Sequence, residues 1–249
     1  MKLHIKLMVL VTLLVSTIYS QELTPKEIVK KVDDTERIAS SKGIVKQVIT
    51  TSGGKERILK MESYTKDENR KQFMIYTEPS RVKGDKILML NDGDDIWFYT
   101  PKTDRVRHLA SHAKRQKVQG SDFSYEDLSS IDYEKDYTYK LLGEEIVNER
   151  LSYKFEMIPT ETGPHYSKII LWADKERFYT NRIDYYEDDQ LLKRLINYEI
   201  EYEKNHWYSY KMVMTNIKEG GETIMETESI EFDLELKDEI FSTTYLKRR

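Results

Sequence analysis

Two periodicities divide the chain. Thr24-Pro25-Lys26-Glu27 is a capping box with proline at the first helical position, and Ile28, Val29 and Val32 follow at helical spacing. This spacing predicts a helix ending near Arg37, with Leu23 as the staple before the cap. Beyond it the pattern shifts to short strand-like runs parted by turn signals: 44–51 and 57–65 flank Ser52-Gly53-Gly54, Asp92-Gly93 leads into 95–99, and Pro101-Lys102-Thr103-Asp104 into 105–107. Residues 109–131 are polar and irregular and read as a loop with one or two short helical turns. Strand patterns resume from Tyr137, and Glu219-Gly220-Gly221 is the last hairpin turn. The tail, Asp238 to Leu246, reads as a short turn or helix that docks Phe241 and Leu246.

The prediction is a mainly β protein of about ten or eleven antiparallel strands in one domain, 21–249, with an opening helix and a helical insertion. Regular spacing of strands and turns favours a barrel or a large curved sheet. Ile87-Leu88-Met89-Leu90, Ile96-Trp97-Phe98-Tyr99 and Ile169-Ile170-Leu171-Trp172 are apolar at successive positions, so both faces of these strands must be covered. What covers them is either packed core or the wall of a cavity for an apolar ligand. The 18 tyrosines suit both. Strand alternation puts Phe73 with Ile75, Trp97 with Tyr99 and Leu171 with Ala173 on common faces. It leaves open which face is concave.

Residues 1–20 have the parts of an export signal: Lys2 and Lys6, an apolar run from Leu7 to Val15, and a small residue, Ser20, before a cut at Gln21. The run is short for a membrane span, which takes about 20 residues. The net charge of −4 becomes −6 once Lys2 and Lys6 leave with that segment, a balance that argues against nucleic acid as partner. Cysteine is absent, which excludes disulfides, a thiol nucleophile, cysteine-bound zinc and a lipidated cysteine.

Catalytic motifs are missing: no nucleophile elbow, P-loop or dinucleotide fingerprint occurs. His108 and His112 stand four apart, as metal ligands on a helix do, but Arg105, Arg107, Lys114, Arg115 and Lys117 surround them and oppose a cation. Asn91-Asp92-Gly93-Asp94-Asp95 lacks the distal glutamate of a calcium loop and reads as a turn. The basic cluster lies beside Asp122, Glu126 and Asp127, an arrangement that suits a solvated loop, a charge-latched lid or a docking patch.

One stretch resembles a known family. Lys83-Gly84-Asp85-Lys86-Ile87-Leu88, Asp95 to Pro101, Arg105-Val106-Arg107 and Gly120-Ser121-Asp122-Phe123-Ser124-Tyr125-Glu126-Asp127-Leu128 are similar, in that order, to the outer membrane lipoprotein-sorting proteins, the LolA-like periplasmic proteins. The resemblance implies an open, incomplete antiparallel β-barrel with helices on its concave face. It implies a periplasmic carrier for lipoprotein acyl chains or another lipid; the missing lipidated cysteine leads to the expectation of a soluble protein and the missing motifs to that of a non-enzyme, and a monomer without a cofactor is expected. An inner-membrane exporter of the RND type and an outer-membrane acceptor are the implied partners. The alternative it implies is a lipid-sensing regulatory module without carrier activity. Phe73, Ile75, Met89, Trp97, Tyr99 and Leu171 are the candidate cavity residues. Arg105, Arg107, Arg115, Asp122 and Phe123 are the candidates for lid or partner contact.

Overall fold

The computed structural model of the chain describes residues 22–161 and 163–248; the expected export signal lies outside the described residues. Helix α1, Pro25–Glu36, starts as its capping box dictates. The Glu27 N–H donates to Thr24 Oγ1 at 3.3 Å, and the Glu27 carboxylate accepts the Thr24 N–H at 2.8 Å. Its buried stripe is Ile28, Val29 and Val32, joined by Asp33.

Six strands follow in hairpin succession: β1 Ser40–Thr51, β2 Glu56–Lys66, β3 Lys71–Glu78, β4 Lys86–Leu90, β5 Asp95–Thr100 and β6 Arg105–His108. A crossing segment, 109–136, contains two short 3-10 turns and helix α2, Tyr133–Asp136. Seven strands complete the sheet: β7 Tyr137–Val147, β8 Arg150–Pro159, β9 Lys168–Asp174, β10 Thr180–Glu187, β11 Gln190–Glu203, β12 His206–Asn216 and β13 Gly221–Phe232. Helix α3, Thr243–Leu246, ends the described chain.

All thirteen strands form one antiparallel sheet in the order β6-β5-β4-β3-β2-β1-β13-β12-β11-β10-β9-β8-β7. The count exceeds the ten or eleven expected, and the short runs β4, β5 and β6 each pair as members of the sheet. The chain enters at the middle of the sheet, walks to one edge, crosses to the other and walks back until β13 pairs with β1. The edges β6 and β7 do not pair, so the sheet is an open barrel. Register shifts at Ile44/Val45, Lys60/Met61, Leu141/Gly143, Thr180/Arg182 and Tyr185/Tyr186 supply local twist that curls it.

The doubly apolar strands are covered on both sides. On the concave side Ile87, Met89, Ile96, Leu171 and Ala173 join one large core with α1, Val118, Phe123 and Tyr133. On the convex side Leu88 and Tyr99 pack with Phe73 under Phe241 and Leu246 of the tail. Farther along the same side, Ile170 and Trp172 pack with Val147. Each large side chain so buried contributes about 1.5–3 kcal/mol, which is how a chain without disulfides holds this sheet together. Among the described residues no helix is long and apolar enough to cross a membrane.

Candidate functional site: the concave face

The crossing segment is a plug. Val118, Phe123 and Tyr125 sit in the concave core, with Leu128 packed against them. Its acids fasten it to the far half of the sheet. Asp122 accepts from Thr223 Oγ1 at 2.9 Å, Asn216 Nδ2 at 3.2 Å and Lys117 Nζ at 3.2 Å, and its own N–H donates to Thr223 Oγ1 at 2.9 Å. Asp127 pairs with Lys193 of β11 and accepts from Ser124 N at 2.6 Å and Tyr166 Oη at 2.6 Å. Glu126 meets His165 Nδ1 at 2.8 Å. Gly120 allows the turn: its φ is +73°, and a Cβ there would come within 2.9 Å of the Arg57 guanidinium, which donates to Gly120 O at 3.0 Å.

Beneath α1 the concave face is not fully packed. A cavity of about 310 Å³ lies between α1, the end of the plug and strands β1, β10, β11 and β12. This is the lower end of the range for ligand sites. Its wall is apolar toward Val45, Ile183, Leu195 and Met212, and polar toward Glu36, Thr180 and Asn197. Glu36 Oε1 accepts the Thr180 N–H at 2.7 Å, and Asn197 Nδ2 donates to Thr180 O at 2.8 Å. Burial pushes the Glu36 carboxyl up to about 7 against the opposing hydrogen bonds from Thr180, and Asp33 nearby adds to the rise. Burial likewise raises Asp33 to about 6, although the Tyr133 and Glu134 N–H groups donate to it at 2.8 and 3.0 Å. A wider groove of about 760 Å³ opens beside the plug, but charged side chains such as Arg70, Lys114, Asp132, Lys135 and Asp136 line it. Such a wall suits water better than hydrocarbon.

The candidate cavity residues separate onto two faces. Met89 and Leu171 lie in the concave core, 1% and 0% exposed. Phe73, Ile75, Trp97 and Tyr99 lie on the convex face against the C-terminal tail. None of the six lines the cavity under α1. Alternation decides which residues share a face; which way the sheet curls is decided by long-range closure over α1 and the plug, which alternation does not encode. The lid candidates separate too. Asp122 and Phe123 are buried in the plug, 6% and 2% exposed. Arg105 and Arg107 stand exposed on the edge strand β6, the Arg107 guanidinium 5.5 Å from the Phe98 ring centre, and Arg115 is exposed in the following turn. His108 stacks near Trp97 at 4.7 Å and lies 3.2 Å from Asp95. Sequence reading missed Glu36, Thr180 and Asn197. Glu36 closes an otherwise ordinary helix, and its partner lies 144 residues away.

Similar proteins agree with this architecture. Residues 68–248 match a family described as an uncharacterized protein. A domain named as an outer membrane lipoprotein-sorting protein, from Vibrio parahaemolyticus, is 27% identical, with a TM-score of 0.84 over 90% of this chain and 98% of that one. A DUF1329 family protein from Desulfovibrio piger is 26% identical, with a TM-score of 0.82 over 89% and 97%. A LolA superfamily protein from Nitrosomonas europaea, 21% identical with a TM-score of 0.74 over 90% and 100%, shares the fold. No protein of curated function matches. The open sheet wrapped over helices and a plug is a LolA-like fold. The chain belongs to the family whose model it matches over residues 68–248, one described as an uncharacterized protein, and it shares its fold with the lipoprotein-sorting domain from Vibrio parahaemolyticus.

Proposed function

We propose that the protein is a periplasmic carrier that shields lipoprotein acyl chains, or another lipid, on their way toward the outer membrane. The observation that carries this reading is the concave core. All seven methionines of the described residues pack there: Met61, Met74, Met89, Met157, Met212, Met214 and Met225. Unbranched, polarizable side chains re-pack readily around a guest, and one of them, Met212, lines the cavity under α1. An exposed acyl chain costs about 0.8 kcal/mol per CH₂ in water, so transit between membranes needs such a cover. The sorting-protein name of the Vibrio relative supports the cargo class. The exposed Arg105 and Arg107 on edge strand β6 are the proposed contact for an exporter of the RND type.

The experiment is recovery of the protein from native periplasm, with mass spectrometry of the intact complex and of its extracted lipid. Bound lipid, together with uptake of an acylated peptide by the emptied protein, is the expected result. No lipid and no uptake would overturn the reading.

A further inference from the structure

One corner of the cavity under α1 is built for something other than hydrocarbon. Three acids contribute to its lining, and two are already matched. Asp127 pairs with Lys193, and Asp33 takes the two N–H groups at the start of α2. Glu36 has no cationic partner among the described residues; its hydrogen bond comes from a backbone N–H. Beside it, Asn197 is 7% exposed, and its Oδ1 has no hydrogen-bond partner among the described residues. The Asn197 amide is oriented by its other end, since Nδ2 must face Thr180 O. Glu36 and Asn197 thus flank one residue, Thr180, on one wall of the cavity, with Asn197 Oδ1 buried beside it. Both are acceptors, and a buried acceptor left unmatched is costly.

Tyr133, Tyr179 and Tyr208 also line this cavity. Aromatic faces attract cations. Cations already use neighbouring rings: the Arg177 guanidinium lies 4.8 Å from the Trp207 ring centre and Lys193 Nζ lies 5.4 Å from that of Tyr185.

We propose that the Glu36–Thr180–Asn197 corner is a head-group site, and that the amphiphile it takes carries a primary ammonium group. The ammonium donates to the Glu36 carboxylate and to Asn197 Oδ1 while the alkyl part lies toward Val45, Ile183, Leu195 and Met212. This rests on the reading of the cavity as a lipid site and adds the chemistry of the polar end.

The test compares two ligands of equal chain length below their micelle concentrations, dodecylammonium and methyl dodecanoate, by titration calorimetry at pH 8. Dodecylammonium is expected to bind about tenfold more tightly, as a charge-assisted hydrogen bond in a buried site gives. Glu36→Gln keeps the shape of the side chain. It should bring dodecylammonium to the level of the ester and leave the ester where it was, which also shows that the variant is folded. Equal binding of the two ligands, or an ammonium preference that survives Glu36→Gln, overturns the head-group site and leaves the carrier reading standing. Failure of both ligands to bind overturns both.

Discussion

The two faces of the sheet are both apolar, yet they are built differently. On the convex face aromatic rings interlock: Phe73 meets Tyr245 edge-on at 5.4 Å and Tyr64 at 5.9 Å. Polar anchors tie down the tail that covers them, with Lys66 Nζ donating to Leu236 O at 2.9 Å and Lys86 Nζ to Leu246 O at 3.0 Å. On the concave face the methionines gather. Most of the buried polar atoms without partners among the described residues lie there too, both ends of the Gln47 amide, the hydroxyls of Tyr76 and Tyr137, and Asn197 Oδ1, whereas the convex side holds Trp172 Nε1. A face that only had to hold the fold together would not keep unmatched polar groups beside adaptable side chains. The convex face is a core of interlocked rings; the concave face gathers adaptable side chains around a cavity.

The largest effect should therefore come from the convex face and leave cargo alone. Phe241→Ala removes a buried ring from the tail and is expected to cost about 3–5 kcal/mol in urea unfolding, with unchanged affinity of the folded protein for an acyl probe. A loss of probe binding in step with stability would erase the distinction between the faces. Next comes the latch. Lys193→Met leaves the buried Asp127, whose side chain is 1% exposed, without its cation, and should cost about 3 kcal/mol. The double variant Asp127→Asn/Lys193→Met should regain much of that loss, and the same unfolding series measures both.

Much of this arrangement was legible in the sequence. The capping box placed α1, the turn signals placed the hairpins, and the doubly apolar runs called for cover on two sides, which the plug and the tail provide. Phe241 and Leu246 were readable as docking residues because a polar tail seldom carries large apolar side chains without a use. Hidden were the contacts that join distant segments. Asp127 and Lys193 are 66 residues apart and Glu36 and Thr180 are 144 apart, and neither pair leaves a local signature. The same holds for the curl of the sheet, which put Phe73 and Trp97 under the tail and Met89 and Leu171 inside.

A smaller effect, with the opposite sign, belongs to Glu36. Its carboxyl sits near 7 in the folded protein against an ordinary 4.5, so folding favours the protonated form. The penalty is absent below pH 4.5, grows between 4.5 and 7, and is complete above 7. Glu36→Gln should therefore stabilise the empty protein by about 2–3 kcal/mol at pH 8 and by almost nothing at pH 4. Urea unfolding of both proteins across that range checks the prediction. A gain that does not vary with pH would mean that ionisation of Glu36 carries no cost.

The smallest change in stability should accompany the most informative change in binding. Met214, fully buried, sits opposite Leu195 and Thr223 in the middle of the concave core. Met214→Leu nearly conserves volume and should cost less than about 1.5 kcal/mol. What it removes is a flexible thioether. If the concave face works by re-packing, the branched side chain narrows the set of shapes the cavity can take, and affinity should fall more for a long acyl chain than for a short one. A matched change on the other face, Leu88→Met, should leave the chain-length profile as it is, since Leu88 faces the tail. Titration of each variant with acylated peptides of increasing chain length reads the difference directly. Identical profiles for the two variants would mean that the methionines merely fill space, and the contrast between the two faces would reduce to one of composition.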